Sequence, residues 1–118
     1  MSRDHRKLEV FHQGDQLVPS QYAETALFPI EERFSLCAQV RRSAVSVAVN
    51  IVEGCARRTT RNYLHFLNMA TGSATETLYL LDLSCRLGYM KADTFQQFER
   101  KYNRLLAGLQ QKSLEAEP

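Results

Sequence analysis

Near the C-terminal end, Phe95, Phe98, Tyr102, Leu105 and Leu109 follow one another at steps of three, four, three and four. An α-helix turns once in 3.6 residues, so this rhythm places all five on one stripe and leaves the intervening polar residues on the other side. A lone helix of this length is marginal in water, and its stripe needs other apolar faces to pack against. The pattern predicts a helix from about Ala92 to Gln111, with the polar tail from Ser113 to Pro118 frayed.

The same rhythm recurs three times upstream. A helix from about Arg61 to Leu87 carries Tyr63, Leu67, Ala70, Ala74, Leu78, Leu81 and Cys85 on one seam. Thr59 and Thr60 supply its cap, and Gly88 suits a left-handed stop. A helix from about Ile30 to Ala56 carries Cys37, Val40, Ala44, Val47, Ile51 and Cys55, with Phe34, Val45, Ala48 and Val52 widening the face. Phe28-Pro29 reads as the turn before it, because proline disfavours helical geometry in the preceding residue. The first helix runs from about Arg6 to Leu27, with Leu8, Phe11, Val18, Tyr22 and Ala26 as its face. Pro19 removes one helical hydrogen bond and predicts a kink or break near Val18.

Five glycines and three prolines among 118 residues are too few for the many tight turns of an all-β chain. The expected fold is all-α, one domain over residues 1–118, with helices near 6–27, 30–56, 61–87 and 92–111. Short connections between long helices make neighbours antiparallel, which gives an up-down-up-down four-helix bundle.

Several functional classes find no support in the residues. No apolar run approaches the roughly 20 residues that span a bilayer, and the charged start has no signal-type apolar segment after it. A cytoplasmic protein without a membrane partner is expected. Cys37, Cys55 and Cys85 are widely spaced, odd in number and set among apolar neighbours, which fits buried thiols better than a disulfide framework or a zinc site. His5, His12 and His65 form no metal-ligand pattern, and no phosphate loop or nucleophile elbow is present. No metal, no cofactor and no catalysis are expected.

Charge is unevenly placed. Between residues 33 and 75, Arg33, Arg41, Arg42, Arg57, Arg58 and Arg61 stand against the single Glu53, a local charge of +5, although the chain as a whole carries only +2. Arginine makes forked contacts with phosphate. Arg41, Arg42, Arg57, Arg58 and Arg61 are therefore candidates for binding RNA or DNA. The alternative is a solvated face, or salt bridges with Glu31, Glu53 or Glu76 within or between subunits.

A second group reads as structural. Asn50 and Glu53 are neighbours on one helical surface, Glu53 precedes Arg57 by four, and Gly54 lies near the helix end. With Glu76, they suit a polar network that sets helix register or assembly. Gly72 and Ser73 suit close approach of two helices. Phe66, Met69, Leu80, Leu83 and Leu87 make a second stripe on the third helix. Left exposed, it would be an unusually large apolar patch, so a neighbouring subunit is expected to cover it.

Several short motifs follow in a distinctive order. They are Leu8-Glu9-Val10, Phe28-Pro29 with Glu31-Glu32, Gln39-Val40-Arg41-Arg42-Ser43-Ala44, and Asn50-Ile51-Val52-Glu53-Gly54. Tyr63-Leu64-His65-Phe66-Leu67, Gly72-Ser73 with Glu76, and Leu87-Gly88-Tyr89 complete the series. Over about residues 7–110 the chain resembles the four-helix-bundle family encoded in intervening sequences of bacterial large-subunit (23S) ribosomal RNA genes. Gly14 and Pro19 depart from that pattern, as do Val49 and Val52, where smaller or polar residues are usual. The resemblance implies an antiparallel bundle and a ring-shaped homopentamer. It also implies possible partners, because a distant relative in diversity-generating retroelements associates with a reverse transcriptase and nucleic acid.

Overall fold

The computed structural model describes residues 3–118, which contain four α-helices, two short 3-10 turns and no strand. The helices are α1 (Glu9–Thr25), α2 (Leu36–Cys55), α3 (Thr60–Arg86) and α4 (Ala92–Ala116). They pack into a body measuring 46 × 24 × 19 Å. α2 and α3 share the most extensive contact, α1 lies against α2 and α4, and α3 lies against α4.

Local chemistry accounts for the entry turn and for both ends of α3. Asp4 caps the 3-10 turn His5–Lys7 by accepting from the Arg6 N–H at 3.0 Å. Thr59 caps α3 by accepting from the Asn62 N–H at 3.1 Å, as its position in the sequence predicts. α3 stops at Gly88, whose φ of 84° is open to glycine at little cost. There the Tyr89 N–H reaches the Ser84 carbonyl and the Gly88 N–H reaches the Cys85 carbonyl, which satisfies the last turn.

Four boundaries differ from expectation. α1 is shorter than Arg6–Leu27, because the chain enters through the Asp4-capped turn and bends at Leu8. It is also unbroken across Pro19, which sits on the exposed side, where the Asp15 carbonyl deprived of its helical partner can face water. α2 starts at Leu36 rather than Ile30. Ile30–Glu32 is a single 3-10 turn, and Ser35, at φ −117° and ψ −96°, leaves helical geometry while its hydroxyl donates to Glu32 Oε1 at 2.6 Å. α4 runs on to Ala116, with a Lys112–Glu115 pair at 3.4 Å in its last turns and Ala116 packed against the core.

The core faces of α2 and α4 match their apolar spacing, from Val40 to Cys55 and from Phe98 to Leu109. α1 is rotated by about one position: it buries Val10, Gly14, Leu17, Gln21 and Thr25 and leaves Phe11, Val18 and Tyr22 at the flank or exposed. Gly14 suits this rotation, because it lies against α2 and α4: a Cβ there would stand a tight 3.3 Å from Val47 Cγ1 and an ordinary 3.9 Å from Leu105 Cδ2. α3 slips likewise. Its buried line is Tyr63, Leu67, Ala70, Ala74, Thr77, Leu81 and Ser84, with Leu78 and Cys85 displaced to the flank.

Hydroxyls on these faces bond to carbonyls of their own helix, and Thr77 also reaches across to α2. Thr77 Oγ1 lies 2.7 Å from the Ser73 carbonyl and 2.8 Å from Ser43 Oγ. Ser84 donates to Leu80 at 2.7 Å, and Thr25 to Gln21 at 2.8 Å. Buried hydroxyls with such partners cost little.

Candidate nucleic-acid interface

The five candidate arginines divide between two places. Arg41 lies sixteen residues before Arg57, which is roughly 24 Å along α2 at 1.5 Å per residue. Arg41 is half-buried and committed to α1. Its Nε donates to Thr25 Oγ1 at 2.8 Å, its Nη2 to the Tyr22 carbonyl at 3.2 Å, and its guanidinium lies 4.6 Å from the Tyr22 ring centre. Arg42 is exposed and reaches Glu76 on α3 at 4.0 Å, a loose surface pair.

Arg57, Arg58 and Arg61 gather at the α2–α3 connection, all exposed. Arg57 donates to the Glu53 carbonyl at 3.2 Å, pairs with the Glu53 carboxylate at 3.7 Å, and stacks 4.7 Å from the Phe66 ring centre. The fold adds cations to this end that lie far away in sequence. The Arg3 N–H donates to the Cys55 carbonyl at 2.7 Å, and its guanidinium covers the Tyr63 ring at 3.8 Å. Arg3, Lys7 and Lys112 line a cleft of about 320 Å³ over Tyr63, with Asp4 and Glu115 also at its wall. Arg6 is hydrogen-bonded to Asp4 and holds that carboxyl below its usual range.

Around the cleft and the α2–α3 connection lie Arg3, Arg6, Lys7, Arg57, Arg58, Arg61 and Lys112, with the carboxylates of Asp4, Glu53 and Glu115 among them and Glu117 on the adjoining α3–α4 surface. Arg3, Lys7 and Lys112 could not be read as site residues beforehand. They come from the two chain ends, and only packing brings those ends to the α2–α3 connection. Burial pushes the Tyr63 hydroxyl and the Cys55 thiol up, so both stay neutral near pH 7. The cleft thus offers cations and the edge of an aromatic wall, which suits an anion better than a covalent step.

The group read as structural also sorts by position. Asn50 is buried and donates to the Ser46 carbonyl at 2.8 Å, near Ser46 Oγ at 3.0 Å, and Ser46 Oγ meets Ser73 Oγ across the α2–α3 seam, also at 3.0 Å. Glu53 turns outward to Arg57, and Glu76 to Arg42. At Gly54 an added Cβ would lie 3.0 Å from Phe66 Cβ, so this glycine permits a close approach of α2 and α3. Gly72 does not play that part: it is exposed, and nothing lies within 4 Å of an added Cβ.

The second stripe on α3 is not one exposed face. Leu80 is buried in the chain's own core, Leu83 packs against the core, Phe66 is half-buried under Arg57, and Met69 and Leu87 alone are exposed. The stripe runs along the border of the buried face of α3, so each residue's burial is decided by what packs beside it: Leu80 and Leu83 meet the core, whereas Met69 and Leu87 stay exposed.

Among the described residues, no group of three His, Cys, Asp or Glu side chains could hold a metal ion, and no helix is long and apolar enough to cross a membrane. Comparison with curated proteins gives no match. Among solved structures, a protein of unknown function from the S23 ribosomal protein family of Bacteroides thetaiotaomicron superposes with a TM-score of 0.81 at 21% identity. The match covers 88% of this chain and 94% of that one, and at this identity it speaks to the fold alone. The model of the 23S rRNA-intervening sequence proteins matches residues 6–111. With nearly its whole length in that match, the chain belongs to the 23S rRNA-intervening sequence protein family.

Proposed function

We propose that this protein is a non-catalytic, cytoplasmic, homo-oligomeric bundle that binds RNA or DNA through its basic end. The observation behind this reading is the convergence of Arg3, Lys7 and Lys112 on Arg57, Arg58 and Arg61. Cations on one surface attract a polyanion, and binding releases its counterions. Arg41 falls outside this surface because its guanidinium is occupied by α1.

In the same reading the helices form an antiparallel up-down-up-down bundle. Contacts at opposite ends of α1 and α2 support that arrangement: Arg3, just before α1, bonds the last residue of α2, and the Cys37 thiol near the start of α2 donates to the last carbonyl of α1 at 3.4 Å. Subunits close into a ring, a homopentamer by family resemblance, which repeats the basic end around an axis. A protein partner shares the assembly, again by resemblance.

A second reading makes the arginines intersubunit salt bridges in a scaffold without nucleic acid. The loose, exposed Arg42–Glu76 pair favours it, since either member could exchange its partner for one across an interface.

Titration with fluorescently labelled structured RNA and duplex DNA, at low and physiological salt, separates the two. Binding that weakens steeply with salt, and is lost when Arg57, Arg58 and Arg61 are replaced by Glu in a still-assembled protein, supports the nucleic-acid reading. No binding at low salt by folded, assembled protein overturns it in favour of the scaffold.

A further inference from the structure

Three large apolar side chains stand in water where the chain passes from α1 to α2. Leu27 is 76% exposed, Ile30 67% and Phe34 88%. The break at Ser35 holds Phe34 off the core face that its spacing suggests. Arg33 lies beside it, with its guanidinium 5.8 Å from the Phe34 ring centre. Among the described residues Arg33 forms no ion pair. The connection thus carries an apolar knob with the Arg33 cation at its side, next to an exposed Glu31 and to Glu32, whose carboxylate is held by the hydroxyls of Ser35 and Tyr89.

A matching concavity lies elsewhere. The rotation of α1 leaves Phe11 and Val18 beside Val45, Val49 and Val52 of α2, and together they line a groove of about 430 Å³. Asp15 and Glu53 border it. Glu53 already pairs with Arg57, whereas Asp15 forms no ion pair among the described residues.

The knob and the middle of the groove are separated by roughly 20 Å along the rigid α2, so no chain can fill its own groove. A second copy can. Each chain brings one knob with a cation and one groove with an unpaired carboxylate, in equal number. Two different patches on one molecule make a heterologous contact, which closes into a ring when the rotation permits.

We infer that the Phe34 knob of one subunit seats in the α1–α2 groove of the next, with Arg33 meeting Asp15. The inference rests on the homo-oligomeric reading above and locates its interface, away from the α3 stripe.

Sedimentation over a range of protein concentrations tests it, with circular dichroism to confirm that each variant is folded. Phe34 and Val49 are both exposed, so their replacement spares the core. Phe34→Ser is expected to raise the dissociation constant of the assembly by about thirtyfold or more, as for an aromatic hot spot. Arg33→Glu and Asp15→Arg are each expected to weaken assembly, and the double variant to regain it. An assembled parent that is indifferent to Phe34→Ser overturns the pairing alone. If Val49→Asp then disrupts that assembly, the groove meets its own copy and the knob is not its occupant. A parent that is monomeric at micromolar concentration overturns both the pairing and the assembly.

Discussion

Gln21 on α1 donates a hydrogen bond to the hydroxyl of Tyr102 on α4, across 81 positions of sequence and inside the core. The apolar spacing of α4 places Tyr102 on its core stripe, whereas no hydrophobic pattern places the amide of Gln21. Tyr102→Phe would leave the buried amide N–H without this acceptor, and the expected cost is about 1–3 kcal/mol. Gln21→Leu in the same chain should recover most of that loss, because removing both polar partners removes the unsatisfied group. Urea denaturation of the three variants checks this.

Alkaline stability follows from the same pair. Burial pushes the Tyr102 hydroxyl up to about 12, against 10 for a free tyrosine. The unfolded chain therefore loses this proton first as pH rises. The stability linked to it is complete below pH 10 and is lost between about pH 10 and pH 12, by roughly 2–3 kcal/mol in all. Urea midpoints from pH 8 to 12 should fall more steeply for the parent than for Tyr102→Phe.

Two glycines should respond oppositely to alanine. At Gly108 a Cβ would stand 2.8 Å from Val10 Cγ1, a buried β-branched side chain with little room to yield. Gly108→Ala is expected to destabilise by about 1–3 kcal/mol. Gly72 lies in open space within α3, and Gly72→Ala should stabilise the fold by about 0.5–1 kcal/mol through helix propensity. Thermal melts of both variants decide the signs.

Leu80 and Leu87 belong to one drawn stripe but to different environments. Leu80 is 6% exposed and Leu87 50%. Leu80→Ala should cost about 2–5 kcal/mol, the range for a buried leucine. Leu87→Ala should stay within about 0.5 kcal/mol. Equal costs in chemical denaturation would contradict the burial of Leu80.

Arg41 and Arg61 should separate stability from binding. Arg41→Ala removes two hydrogen bonds to α1 and the stack on Tyr22, and is expected to cost about 1–2 kcal/mol while leaving nucleic-acid affinity unchanged. Arg61→Ala, at the exposed start of α3, should leave the melt unchanged and reduce the salt dependence of binding by about one phosphate contact. Melts and salt titrations of both variants read the two effects.

What the residues determined by themselves is the number of helices, their approximate extents and the core faces of α2 and α4. These follow from short-range geometry: a three-four spacing of apolar side chains, a Thr59 cap and a Gly88 stop act within a turn or two of chain. The motif order likewise pointed to the family. The clustering of Arg57, Arg58 and Arg61 was legible because those three are neighbours in sequence.

Tertiary packing decided the rest. It turned α1 to seat Gly14 against Val47 and Leu105, which left Phe11 and Val18 outward. It buried Thr77 and Ser84, whose hydroxyls are satisfied by nearby partners and so behave as small core residues. It committed Arg41 to α1, away from Arg57, and it carried Arg3, Lys7 and Lys112 to the basic end. Sequence spacing orders residues around a single helix, but which side of that helix faces inward depends on how closely its neighbours can approach. At Gly14, Gly54 and Gly108 that approach is set by an absent side chain, a feature visible only once the opposing helix is in place.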